Sequence, residues 1–157
     1  MISFRDLNTH EFLEYKNCFI DEYSQELSEN YMYSKDKSLV IATHDFKTSF
    51  EDSDINQNNH LYGIEIDESG IKELVGYIWY SIDEEKHCAF INDFYIFPQN
   101  RNQGLGSMSL LHLESILSKS DIWEIKLRVA YTNKSAARLY KKIGFTETGI
   151  NMNKILR

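Results

Sequence analysis

The residues of this chain whose types and spacing could do chemistry centre on Arg101-Asn102-Gln103-Gly104-Leu105-Gly106-Ser107, between a strand-like run closed by Pro98 and an amphipathic run that starts near Leu105. The first N–H groups of a helix have no partner inside it, and glycines let the backbone come close to an anion. A strand, a glycine turn and a helix start therefore make a phosphate cradle, beside which Arg101 would set a planar charged fork. Two common cradles are excluded by spacing. Ser107 and Met108 stand where a nucleotide-binding P-loop needs its lysine and hydroxyl, and Ser109 takes the third glycine's place in the dinucleotide fingerprint. A pyrophosphate cradle of another kind remains.

About thirty residues on, Leu127-Arg-Val-Ala-Tyr-Thr-Asn133-Lys-Ser-Ala136-Ala-Arg-Leu139-Tyr140-Lys-Lys-Ile-Gly144-Phe145 reads as a strand, a helix and a Gly-Phe exit. Asn133 and Tyr140 are seven residues apart, so at about 100° per residue they return to within roughly 20° of one another and share a helix face, with Ala136 between them. In this order the two stretches resemble the GNAT superfamily of acyl-CoA-dependent N-acetyltransferases, whose phosphate loop reads Gln/Arg-x-x-Gly-x-Gly/Ala after a strand and before a helix. The resemblance is strong over roughly residues 74 to 150 and loose before that.

The resemblance implies one N-acetyltransferase domain over residues 1–157. Its α/β (α+β) fold would have a mixed, mostly antiparallel sheet splayed around an acetyl-CoA site, with helices on both faces. Acetyl-CoA would be co-substrate, its pyrophosphate held by Arg101 to Ser107 and its peptide-like arm paired with the backbone of Phe94, Tyr95 and Ile96. Asn133 would hydrogen-bond the cofactor, and Ala136, being small, would leave room for the arm. The Tyr140 hydroxyl would protonate the departing thiolate, and the Tyr95 N–H would meet the oxyanion. Attack would be direct, in a ternary complex, by a primary amine of a small molecule or a peptide or protein N-terminus. A catalytically silent acyl-CoA-binding or sensing module is the alternative, and the presence of Tyr140 favours the enzyme.

An alkylammonium has a pKa near 10, so only about one molecule in a thousand is ready to attack at neutral pH, and some group must take its proton. Asp93 is the carboxylate nearest the cofactor strand, although many members of the superfamily carry glutamate near this point. Strand alternation sets Asn92, Phe94 and Ile96 on one face and Asp93, Tyr95 and Phe97 on the other.

Charge divides along the chain. Residues 1–100 hold twenty acidic and seven basic side chains, a balance of −13, and residues 101–157 hold four and ten, a balance of +6. A polyanionic cofactor suits the second segment and a cationic amine the first, where Glu22, Tyr23, Glu26 and Tyr31 are candidate acceptor-binding residues. The acidic balance and the lack of a basic, aromatic stripe argue against nucleic acid. With no long apolar run and no basic-then-apolar leader, neither a membrane nor export is expected, so the location expected is cytoplasmic. A homodimer is left open. Cys18 and Cys88 are read as reduced thiols, and five histidines without metal spacing give no metal site. Asp52-Ser-Asp54-Ile-Asn56 opens like a calcium loop but meets Gln57 and Gly63 where that loop needs glycine and glutamate.

Periodicity must position these groups. It predicts a strand from Ile2, helices over 9–28 and 35–50, a polar loop over 51–59, strands near 60–67, 73–82 and 88–97, a helix over 105–119, a strand over 124–131, a helix over 134–143 and a last strand over 145–155. Gly144 suits the positive φ of a helix exit.

Overall fold

A computed structural model describes residues 1–51 and 58–156. Five strands, β1 (Ile2–Arg5), β2 (Asn59–Glu68), β3 (Ile71–Asp83), β4 (Cys88–Ile96) and β5 (Glu124–Leu127), lie side by side in sequence order. The first three pairings are antiparallel and β4–β5 is parallel. Short turns suffice for the hairpins. The Gly70 N–H donates to Asp67 Oδ1 and the Lys86 N–H to Asp83 Oδ1, at 2.9 and 3.1 Å. A parallel neighbour needs a crossover, which helix α3 (Leu105–Ser118) supplies.

Helices α1 (Thr9–Tyr31) and α2 (Lys35–Phe50) precede β2. A capping box starts α1: Asn8 Oδ1 accepts from the Glu11 N–H and Glu11 Oε2 accepts from the Asn8 N–H. Arg5 ties this end to the sheet by bonding both Glu11 and Glu65. Ser34 caps α2. Helix α4 (Lys134–Lys142) is capped by Asn133, and Gly144 beyond it has φ 108°.

The sheet is covered on both faces. Tyr15 and Phe46, with Phe12, Phe19 and Phe50 around them, bring α1 and α2 onto Tyr77, Leu61, Leu74, Tyr95 and Phe97. On the other side Leu105, Leu110, Leu113 and Leu117 of α3 pack on Ile64, Val75, Ile78, Ala89 and Ile91, joined by Leu139, Tyr140 and Ile143 from α4 and its end. Gly76 allows β3 and β4 to close, since a Cβ there would run into the Tyr95 carbonyl.

Three boundaries differ from those expected. Helix α1 continues to Tyr31 before Met32 turns left-handed at φ 59°, and β5 stops at Leu127. The strand expected over 145–155 is absent, because residues 145–156 carry neither helix nor strand. Their alternating apolar residues suit a strand, but a strand exists only where an edge pairs with it. The calcium-like stretch at 52–57 lies outside the described residues.

Candidate active site

The site begins where the sheet opens. β4 and β5 pair from Cys88↔Glu124 to Ile91↔Leu127 and no further. At that point β3 places Tyr80 opposite Ile91 but Trp79 opposite Asp93, so Asn92 is an extra residue on β4. This bulge re-aims the side chains beyond it. Ala89 and Ile91 face α3, as do Phe94 and Ile96, whereas Asp93, Tyr95 and Phe97 face α1. The alternation expected for Asn92 is corrected accordingly: it lines the same cavity as Asp93 and donates to Ser81 Oγ.

The bulge brings Asp93 to the Tyr15 hydroxyl, which donates to Asp93 Oδ2 over 2.9 Å. Burial pushes the Asp93 carboxyl up to about 6, against the opposing pull of the Tyr15 hydroxyl and the Phe94 N–H, with Glu26 and Glu22 adding to the rise. Asp93 remains partly accessible from a cavity of about 720 Å³ between α1, α2 and the opened strands. Cys18, Glu22, Tyr23, Glu26, Asp45 and Arg128 also line it. Burial is the main reason the Cys18 thiol is raised, to about 11.

The candidate acceptor residues divide. Glu22 is exposed at the wall. The Tyr23 hydroxyl donates to Asp45 Oδ2 at 3.1 Å. Glu26 accepts from Arg128 at 3.0 Å, and the other terminal nitrogen of Arg128 donates to the Tyr31 hydroxyl at 2.6 Å. Tyr31, stacked on Tyr33, is thus outside the lining and braces Arg128. A second clasp crosses the same gap, where Asn30 bonds the N–H and hydroxyl of Thr132.

Tyr140, on α4, packs against the α3-side core beside Phe145 and is not among the described residues that line the cavity. Burial first, and then the Asp93 charge, push its phenol up to about 12. Asn133 lines the cavity while its Oδ1 accepts from the Ala136 N–H at 3.1 Å.

The backbone of β4 has a defined direction. The Phe97 N–H donates to Val75 O, and antiparallel pairs alternate. Tyr95, two residues back and opposite Tyr77, therefore turns its N–H towards β3. The oxyanion donor expected at Tyr95 is displaced by that register, and Phe94 and Ile96 present their groups to the gap. Ile96 O already accepts from Arg101 Nε at 2.8 Å, and the Arg101 guanidinium lies 5.1 Å from the Tyr95 ring centre. Its role is partly to brace the loop onto β4.

Beyond it, Asn102 and Gly104 have φ 60° and 78°. Gly104 enters α3 without a side-chain cap, and the first helical bond runs from the Met108 N–H to Gly104 O. The N–H groups of Leu105, Gly106 and Ser107 precede that bond and so lack helical partners. Residues 101–104, Gln103 among them, are exposed. Gly106 lies where a Cβ would come 3.0 Å from Leu139 Cδ2 and 3.9 Å from the Phe94 ring, so the loop, α4 and β4 converge.

A family model described as the acetyltransferase (GNAT) family matches residues 13–145. The chain belongs to the GNAT acetyltransferase family. The uncharacterised N-acetyltransferase YycN of Bacillus subtilis is 25% identical over 152 residues, 96% of each chain. The crystal structure of YycN superposes with a TM-score of 0.88 at 24% identity, covering 100% of this chain and 99% of that one. The GNAT fold recurs at TM-score 0.66 and 18% identity in spermidine N-acetyltransferase from Vibrio cholerae in complex with CoA and spermine, over 94% of this chain and 82% of that one. It recurs again in the PaiA N-acetyltransferase of Thermoplasma acidophilum in complex with coenzyme A, at TM-score 0.63 and 21% identity, over 96% and 93%. Among the described residues no helix is long and apolar enough to cross a membrane.

Sequence reasoning on this GNAT chain missed Tyr15, Asp45 and Arg128. Tyr15 reads as one more apolar position of α1, and no local signal reports a partner 78 residues away. Asp45 looks like a solvated helix residue. Arg128 sits inside the second motif and was legible only as strand.

Proposed function

We propose that the protein transfers an acetyl group from acetyl-CoA to a primary amine carried by a cationic acceptor. The observation that carries the reading is Asp93, a half-buried carboxylate at the point where β4 leaves β5, open to a cavity that also holds Glu22, Glu26, Glu29 and Asp45 against Arg128. Such a wall attracts a positive group and presents a base to it.

In this reading the helix start at Leu105 to Ser107 holds the pyrophosphate, and the outward groups of Phe94 and Ile96 align the pantetheine arm. Asn133 and Ala136 border the arm. The amine nitrogen attacks the thioester carbonyl carbon as Asp93 takes the ammonium proton, directly or through water. The Phe94 N–H bonds the Asp93 carboxylate, so the developing oxyanion is met by a β4 N–H turned towards the gap beyond it, that of Ile96. As the carbon–sulfur bond breaks, Tyr140 gives its proton to the thiolate. Its raised pKa keeps that proton in place at neutral pH, and the dry surroundings that raise it penalise a bare thiolate as well. Amide, CoA thiol and one released proton complete the balance.

The test is acetyl-CoA-dependent thiol release across polyamines, lysine-like amines, basic peptide N-termini and neutral amines. Turnover restricted to cationic primary amines supports the reading. Cofactor binding without turnover on any amine would favour the silent module. Acetyl-CoA at a hundred times its dissociation constant should stabilise the fold by about 2.7 kcal/mol, and absence of any thermal shift would overturn the cofactor assignment.

A further inference from the structure

Helix α1 turns one acidic stripe towards the cavity. Glu22, Glu26 and Glu29 stand at i, i+4 and i+7, so they share a helix face over about 10 Å, and all three line the cavity. Left open, such a stripe would suit an extended polycation. Its middle carboxylate is taken. Arg128, the one lysine or arginine among the described residues lining the cavity, crosses from just beyond β5 and donates to Glu26 Oε1 at 3.0 Å.

An exposed ion pair alone contributes little, but this guanidinium has further partners. It donates to the Tyr31 hydroxyl at 2.6 Å and lies 5.5 Å from the Tyr31 ring centre. Tyr31 stacks on Tyr33 with ring centres 5.5 Å apart, and Lys37 Nζ lies 3.9 Å from the Tyr33 ring centre. This ladder fastens Arg128 to the corner between α1 and α2. One turn on from Glu26, Asn30 Oδ1 accepts from the N–H and the hydroxyl of Thr132 at 3.2 and 3.3 Å. Two bars thus join α1 to the β5–α4 connection. A chain lying beside a strand needs about 4.8 Å, so none passes between atoms bonded this closely. Asp93, bonded to Tyr15 near the start of α1, is on the Glu22 side of the bars, and Glu29 is cut off from it.

We propose that Arg128 determines acceptor specificity: by occupying Glu26 and barring the stripe, it confines the enzyme to compact amines with no more than one further cationic group, and it excludes extended polycations. The inference rests on the acetyl transfer proposed above and names the kind of amine that reaction takes. Glu22, which is exposed, is left to meet the second charge.

Steady-state kinetics of the full chain with putrescine and spermine tests this, read as the ratio of kcat/KM for the tetraamine to that for the diamine. The native ratio should lie below one. Arg128→Gln frees Glu26 and removes a repelling charge, so its ratio should rise by roughly fivefold. Arg128→Lys keeps the charge but loses the planar fork shared by Glu26 and Tyr31, and its ratio should fall between the two. Titration calorimetry of both amines on the protein with CoA present reads the same preference without turnover. Absence of acetylation with every amine would therefore defeat the acetyl-transfer reading and still leave the affinity ratio to decide this one. A native ratio above one, or an unchanged ratio in Arg128→Gln, would overturn the proposal.

Discussion

The Tyr15 hydroxyl, wholly buried under α1, stands 2.9 Å from Asp93 Oδ2 and is, among the described residues, the one side-chain donor bonded to it. It favours the ionised carboxylate and so works against the burial that lifts Asp93 to about 6. Changing Tyr15 to Phe should raise that pKa further. The acid limb of the kcat/KM profile should move to higher pH, with activity near pH 6 falling more than activity near pH 8. A limb that stays in place in Tyr15→Phe would remove Asp93 from the role of base.

Asp93 also sets a pH dependence of stability. Its folded pKa lies above its ordinary value of 3.8, so the native state holds the proton more tightly than the unfolded chain does. The favourable contribution is complete below about pH 3.8, declines as pH rises through the window up to about 6, and is absent above it. At about 1.36 kcal/mol per pH unit the cost of the ionised group is at most about 3 kcal/mol, reduced by the water that reaches it from the cavity. Asp93→Asn should therefore be more stable than the native chain at pH 7.5, by roughly 1–3 kcal/mol, with the difference shrinking towards pH 4. Denaturant unfolding at several pH values would show it, and a variant less stable at pH 7.5 would contradict it. A more stable protein with lower turnover is the signature of a charge kept buried for function.

The glycine turn before α3, the helix with Asn133 and Tyr140, and the three-strand meander were legible because each rests on local rules. A glycine marks the positive φ of a helix exit, as at Gly144, whereas the capping of α4 by Asn133 was not expected. The bulge at Asn92 was not legible. No glycine or proline announces it, and it exists only as a mismatch between two paired strands. Every statement that depended on alternation through it, including which groups of β4 meet the gap, was therefore open to reversal. Tyr31 illustrates the same limit, since its place on α1 followed from periodicity but its hydroxyl is taken by Arg128 from the far side of the sheet opening.

Tyr140 separates an enzyme from a silent binder. Tyr140→Phe removes one hydroxyl from a side chain packed beside Phe145, so the fold and the acetyl-CoA thermal shift should be retained. Turnover should fall by roughly a hundredfold or more, and the basic limb of the rate profile attributed to the phenol should disappear with it. Unchanged turnover would mean that water or another group protonates the thiolate.

The cavity wall makes the acceptor's charge measurable. Glu22 and Glu29 are exposed, Asp45 accepts from Tyr23, and Glu26 is engaged by Arg128, so a cation entering from solvent meets Glu22 before Asp93. Exposed charges are screened over about 8 Å at physiological ionic strength. The Michaelis constant for a polyamine or basic peptide should rise with salt, and that for a neutral amine should change little. Glu22→Gln should weaken the cationic acceptor by a few-fold and flatten its salt dependence, while leaving acetyl-CoA binding as it was. Neutral or acidic acceptors that prove best, with no effect of salt or of Glu22→Gln on their Michaelis constants, would show that the carboxylates serve only to solvate this face, and the cationic assignment would fall even if acetyl transfer stands.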